Sequence, residues 1–155
     1  MQITSSAFAD QGQIPLPHVM PGAGGRNISL PLAWTGVPEG TRSLALSLVD
    51  PHPVARNWVH WLVINIPPQV TALEAGASGV DMPAGTVELR NSFGQVGYGG
   101  PQPPPGSGDH PYVFTLFALN EAHLSLPVHI SLGDFLKALE GKRIATATLT
   151  GYFGR

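Results

Sequence analysis

Alternation of apolar and polar positions is clearest at residues 43–50, SLALSLVD. Leu44, Leu46, Leu48 and Asp50 share one side, and Ser43, Ala45, Ser47 and Val49 the other. That period of two defines a strand, and here a carboxylate closes its apolar side. Residues 58–66, WVHWLVINI, are apolar on both faces, as in a strand covered from both sides. Pro67 and Pro68 end it, because proline removes ladder donors. By simple alternation His60 falls on the face of Trp58 and Leu62. Residues 112–119, YVFTLFAL, and 144–153, IATATLTGYF, predict two further strands, with weaker candidates at 27–34 and 85–90.

One segment has helical spacing. Leu132, Phe135, Leu136 and Leu139 recur at i, i+3, i+4 and i+7, and Ser131 with Asp134 resembles a capping box. Gly141 supplies a left-handed residue beyond the end, with Lys142 and Arg143 near the helix's negative pole. A shorter helical turn is expected near 71–75. The resulting class is all-β with minor α, a short C-terminal helix. No repeat or boundary interrupts the chain, so one domain over 1–155 is expected.

Composition sharpens this picture. The 155 residues include 19 Gly and 16 Pro, about twice the ordinary share, and they cluster at 94–111 in a rigid, turn-rich loop. The formal charge is −2, with eight scattered basic residues, which leaves no footprint for nucleic acid or for polybasic membrane contact. No apolar run reaches the roughly 18 residues of a membrane span. The start, MQITSSAFADQGQ, lacks the basic and apolar regions of a signal peptide. With no cysteine present, disulfides, thiolate metal sites and cysteine nucleophiles are excluded. Together these features favour a cytoplasmic location.

Histidines and one carboxylate carry the candidate chemistry. Asp50 ends a strand before Pro51-His52-Pro53, His60 sits within the next strand, and His110 and Tyr112 project to one side two residues apart. A carboxylate, two imidazoles and a phenol could therefore meet where strand ends adjoin. The preceding Gly/Pro loop would wall such a site and offer backbone N–H groups to an anion. Imidazolium groups donate to phosphate oxygens, each charge-assisted bond contributing about 1.5–3 kcal/mol. Asp50 would offset that charge or accept from an ammonium, so a phosphate bearing an amine would use both halves.

Plainer roles compete with this one. A histidine in an apolar strand is more often a core residue, and Asp50 before proline also fits an Asx-type turn. Tyr112 fits the core with its hydroxyl at the rim. His18, His52, His123 and His129 lie among loop signals, where most are expected to be solvated. Enzyme patterns are missing: there is no HExxH, GxSxG, P-loop or GxGxxG. Gly106-Ser107-Gly108 lies in a loop without a strand-to-helix elbow. No catalytic set, metal or cofactor is expected.

Several separated motifs then combine. Asp50-Pro51, Trp58-Val59-His60-Trp61 and His110-Pro111-Tyr112 stand in order with MQITSSAF, WTGVPEG at 34–40, RNSFG at 90–94, GYGGPQPPPG at 97–106 and the ending LTGYFGR. Over nearly its whole length the chain resembles the phosphatidylethanolamine-binding protein family, in the prokaryotic branch similar to Raf kinase inhibitor protein. The resemblance implies an antiparallel Greek-key β-sandwich with a small pocket for phosphate, phosphorylethanolamine or related lipid headgroups. Carried over by motif position, Asp50, Trp58, His60, His110 and Tyr112 would line it, with the wall Gly100, Pro101, Pro103 and Pro104. It implies a non-enzymatic binding protein, a kinase or protease as protein partner, and a homodimer as in many bacterial relatives. The first motif departs from the family's Asp-Pro-Asp-Ala-Pro, reading Asp50-Pro51-His52-Pro53-Val54, and the extra imidazole would favour a more anionic ligand. Segment 18–28 also differs from the family's Cys-Asp-Gly type. Two rivals remain: an interaction module with a vestigial pocket, and a cryptic hydrolase using Asp50, His60 and His110.

Overall fold

A computed structural model describes residues 1–155. Its elements, in chain order, are β1 (Gln2–Thr4), β2 (Leu32–Thr35), β3 (Ser43–Asp50), β4 (Trp58–Ile66), β5 (Ala72–Leu73), β6 (Val87–Glu88), β7 (His110–Leu119), α1 (Leu132–Leu139) and β8 (Arg143–Phe153). A small antiparallel sheet runs β1-β2-β5, and a larger one β6-β4-β3-β7-β8. The all-β class with one short C-terminal helix is what the strand periods predicted.

The large sheet is covered on both faces. On one, Leu46, Leu48, Trp61, Tyr112 and Phe114 pack with Ile3, Leu32, Trp34 and Leu73 of the small sheet. On the other, Ala45, Leu62, Ile64 and Phe117 pack with Phe135 and Leu139 of α1. This double cover explains why β4 carries apolar residues at almost every position. Helix α1 begins where its cap predicts, with the Ser131 hydroxyl accepting from the Asp134 N–H at 3.0 Å.

Strand β7 returns to lie beside β3, Val49 facing Val113, while Asp50 faces Trp58 of β4. The end of β3 and the starts of β4 and β7 therefore meet at one end of the sheet. Two irregularities in β4 modify the alternation. Leu48 pairs with Trp61 and Val49 with Val59, so His60 is an extra, bulged residue. Val59 and Leu62 consequently face α1 together, while Trp61 faces the small sheet. The expectation that His60 shares a face with Leu62 is overturned by this bulge. The second lies at Asn65, at φ 60°, whose side chain exchanges two hydrogen bonds (2.8 and 2.9 Å) with the Leu124 backbone.

Other expectations are also corrected. Residues 71–75 form no helical turn; Ala72–Leu73 is a strand, because the Trp34 N–H and indole donate to the Thr71 and Val70 carbonyls and Leu73 enters the core. The candidate strand 27–34 pairs only from Leu32, since Asn27 is left-handed and the Ile28 N–H and Ser29 carbonyl bond to neighbouring turns. The candidate 85–90 shortens to Val87–Glu88, after a left-handed Gly85.

Candidate functional site

At the meeting of β3, β4 and β7 lies a cavity of about 570 Å³. Asp50, Trp58, His60, Pro103, Pro104, His110 and Tyr112 line it, together with Val54, Ala55, Arg56, Phe93 and Gln102. Gly100 and Pro101 are not among its lining residues. They are buried behind the wall, where the Gly100 N–H donates to Asn27 Oδ1 (2.7 Å) and the Pro101 carbonyl accepts from Met20 (3.0 Å). A Cβ on Gly100 would strike the His18 carbonyl, so that residue must be glycine for segment 18–28 to approach.

The floor is organised by a buried histidine–carboxylate contact. His110 Nδ1 donates to Asp50 Oδ2 at 2.6 Å, with both side chains nearly inaccessible. Asp50 Oδ1 accepts the His52 N–H at 2.9 Å, so Asp50 also makes the Asx turn that its place before proline suggested. The His52 ring lies flat on His110, centroids 3.8 Å apart and planes 10° apart. His52 is thus half-buried by stacking, whereas His123 and His129 are exposed as expected. His18 departs from that expectation: it is buried, with Nδ1 bonded to the Ile28 carbonyl at 2.8 Å.

His60 has a different electrostatic character from the one the sequence suggested. Its Nδ1 donates to the Gly99 carbonyl at 2.6 Å, and Tyr112 and Phe93 meet the ring edge-on. Desolvation lowers its pKa from 6.5 to about 4, although the Gly99 carbonyl and Asp50 favour the cation. Near neutral pH the ring is therefore uncharged, and Nε2, which has no hydrogen-bond partner in the protein, is left as an acceptor on a residue that lines the cavity. The expected imidazolium donor at this position is corrected. Burial and the Asp50 carboxylate push the Tyr112 pKa up, so its hydroxyl remains a donor.

This shift has a measurable consequence. Between pH 6.5 and 4 the unfolded chain binds a proton at residue 60 that the folded chain does not. Stability therefore falls as pH is lowered through that window, by up to about 3 kcal/mol from this group. Replacing His60 with Asn keeps a donor for the Gly99 carbonyl. Denaturant titrations of His60→Asn are expected to give a flatter pH dependence over this range, and an unchanged one would contradict the burial argument.

The loop over 94–111 contributes fewer anion donors than its glycines promised. The N–H groups of Gly97, Gly99, Gly106 and Ser107 bond to the Leu89, His60, Arg155 and Pro104 carbonyls. Prolines at 101 and 103–105 have none, so Gln102 alone supplies a backbone N–H in this stretch of the lining wall. Arg155 ties the wall down, donating from Nε to the Pro103 carbonyl (2.6 Å) and from Nη1 to the Gly22 carbonyl (2.8 Å). Arg56 brings a cation to the cavity from an exposed turn in which both Arg56 and Asn57 have positive φ. The sequence signals for the unanticipated lining residues were slight: Phe93 lies in RNSFG, and Arg56-Asn57 immediately precedes β4.

Two antiparallel sheets, a short C-terminal helix and a strand-end cavity floored by an Asp–His pair describe an all-β cavity protein. The family model for phosphatidylethanolamine-binding proteins matches residues 4–154. The chain belongs to the phosphatidylethanolamine-binding protein family. A UPF0098 protein of Methanothermobacter thermautotrophicus is 41% identical over 156 residues, covering 100% of this chain and 99% of the relative. The UPF0098 protein YbhB of Escherichia coli is 42% identical over 158 residues, covering 99% of each. The crystal structure of Escherichia coli YbcL, described as a new member of the mammalian PEBP family, superposes with a TM-score of 0.92 at 38% identity. That match covers 99% of this chain and 98% of YbcL. No helix is long and apolar enough to cross a membrane.

Proposed function

We propose that this protein binds small phosphorylated amines, with phosphorylethanolamine as the reference ligand, in the cavity between β3, β4 and β7. The observation that carries this reading is the mixed floor. Asp50 and the bare Nε2 of His60 accept hydrogen bonds, while Tyr112 donates one, all on the same cavity. A phosphate dianion alone would meet two acceptors there. An ammonium group satisfies them, and its phosphate partner takes the Tyr112 hydroxyl, the Gln102 N–H and the Arg56 guanidinium. Trp58, Phe93 and Pro104 at the wall suit the methylene linker and leave acyl chains of a lipid outside.

Calorimetric titration of the wild type and of Tyr112→Phe tests this. Loss of one hydrogen bond to a charged oxygen is expected to weaken phosphorylethanolamine about tenfold or more. Equal affinity in the two proteins would remove Tyr112 from the site.

A further inference from the structure

One polar relay runs from the cavity floor to a hydroxyl that the binding reading does not use. Ser107 Oγ lies 2.8 Å from His110 Nε2, and His110 Nδ1 lies 2.6 Å from Asp50 Oδ2. We propose that Ser107 is an acyl-accepting nucleophile for small esters with good leaving groups, with His110 as its base and Asp50 as the residue that positions the imidazole. A hydroxyl, an imidazole and a carboxylate in hydrogen-bond sequence are recognised by geometry and role, independent of chain order.

The pieces around this relay fit the assignment. Asp50 accepts from Nδ1, which leaves Nε2 as the ring nitrogen that faces the Ser107 hydroxyl. The ring cannot swing away, being stacked on His52, whose own N–H holds the second Asp50 oxygen. Ser107 is half-buried on a sharp turn between Gly106 at φ 81° and Gly108 at φ 82°, and its own φ is negative. Such alternation of hand turns successive N–H groups to one side, a concavity for anions. The N–H groups of Gly106 and Ser107 are already bonded, whereas those of Gly108 and Asp109 have no partner in the protein. They are the donors available for an oxyanion beside the nucleophile. The Pro104 carbonyl, 2.7 Å from Oγ, is the hydroxyl's alternative acceptor, and rotation about the Cβ–Oγ bond passes the proton between it and His110.

In the reaction, Oγ attacks the ester carbonyl carbon, its proton moves to Nε2, and the carbonyl electron pair becomes the oxyanion. Collapse expels the alkoxide, which takes the proton from Nε2 and leaves as the alcohol. The acyl group stays on Oγ. Water then attacks the same carbon, Nε2 takes its proton and returns it to Oγ, and the carboxylic acid departs. The turn leads into β7 rather than a helix, which is why no GxSxG pattern announces it.

The probe is p-nitrophenyl acetate. The wild type is expected to release a burst of one p-nitrophenol per chain and to carry one acetyl group on Ser107, located by peptide mapping. Ser107→Ala should lose both while remaining folded and keeping its affinity for phosphorylethanolamine, because Ser107 does not line the cavity. Asp50→Asn should slow the burst by about a hundredfold or more, because the imidazole loses its tautomer control. An acetyl group on a lysine or the amino terminus, a burst that persists in Ser107→Ala, or no acetylation at all would overturn the proposal.

Discussion

Asp50→Ala is expected to destabilise the fold by about 3–5 kcal/mol, the cost of leaving one member of a buried pair without its partner. His110 is fully buried, and its Nδ1 has no acceptor other than Asp50. The His52 N–H loses its acceptor as well, so the Asx turn that leads from β3 toward Arg56 is released. Ligand binding should disappear together with the stability, since the carboxylate is one of the two acceptors of the mixed floor. Asp50→Asn keeps one of the two acceptor oxygens and removes the charge, so it is expected to lose less stability than Asp50→Ala while still losing binding. Denaturant unfolding of both variants, read beside phosphorylethanolamine binding, checks this. A loss below about 1 kcal/mol in Asp50→Ala would mean that the pair is solvated rather than buried.

Trp61→Ala should cost a similar amount, about 3–5 kcal/mol, through a different cause. Trp61 is fully buried immediately after the His60 bulge and meets Tyr98 edge-on with ring centroids 5.5 Å apart. Its indole N–H donates to Glu88 Oε2 at 2.8 Å, and Glu88 in turn receives the Gly79 N–H and the Ser78 hydroxyl. Deleting the ring opens a cavity beneath the strand that carries His60 and withdraws one donor from a carboxylate. Trp61→Phe keeps most of the packing, so its smaller loss, about 1–3 kcal/mol, isolates the hydrogen bond to Glu88. Equal midpoints for wild type and Trp61→Ala in urea would contradict the packing account.

Local signals explain which parts of the fold were legible. Strand β3 and helix α1 announce themselves through short-range periods and a cap, and both lie where those signals put them. Asp50, His110 and Tyr112 were legible as a group because strand ends and parity place them on one side. His60 was legible as a member but not in its orientation or charge: its bulge depends on pairing with β3, and its lowered pKa on burial by distant segments. Arg56, Phe93 and Gln102 reach the cavity from three separate loops, a convergence that no local pattern encodes. Residues 71–75 misled because a two-residue strand leaves no period, and β2 supplies its reason to exist. Ser107 stood in a motif without an elbow, and only the relay through His110 gives it a chemical context.

Whether Asp50, His60 and Tyr112 form one mixed floor for a phosphorylated amine is read from the histidine ring nitrogens by nitrogen-15 NMR while phosphorylethanolamine, inorganic phosphate and ethanolamine are added separately. Phosphorylethanolamine is expected to shift His60 Nε2 saturably while Nδ1 keeps the signature of its bond to the Gly99 carbonyl. Weaker binding is expected for phosphate or ethanolamine alone. Unchanged His60 resonances at saturating phosphorylethanolamine, or equal binding of phosphate alone, would rule out a floor built for a phosphorylated amine.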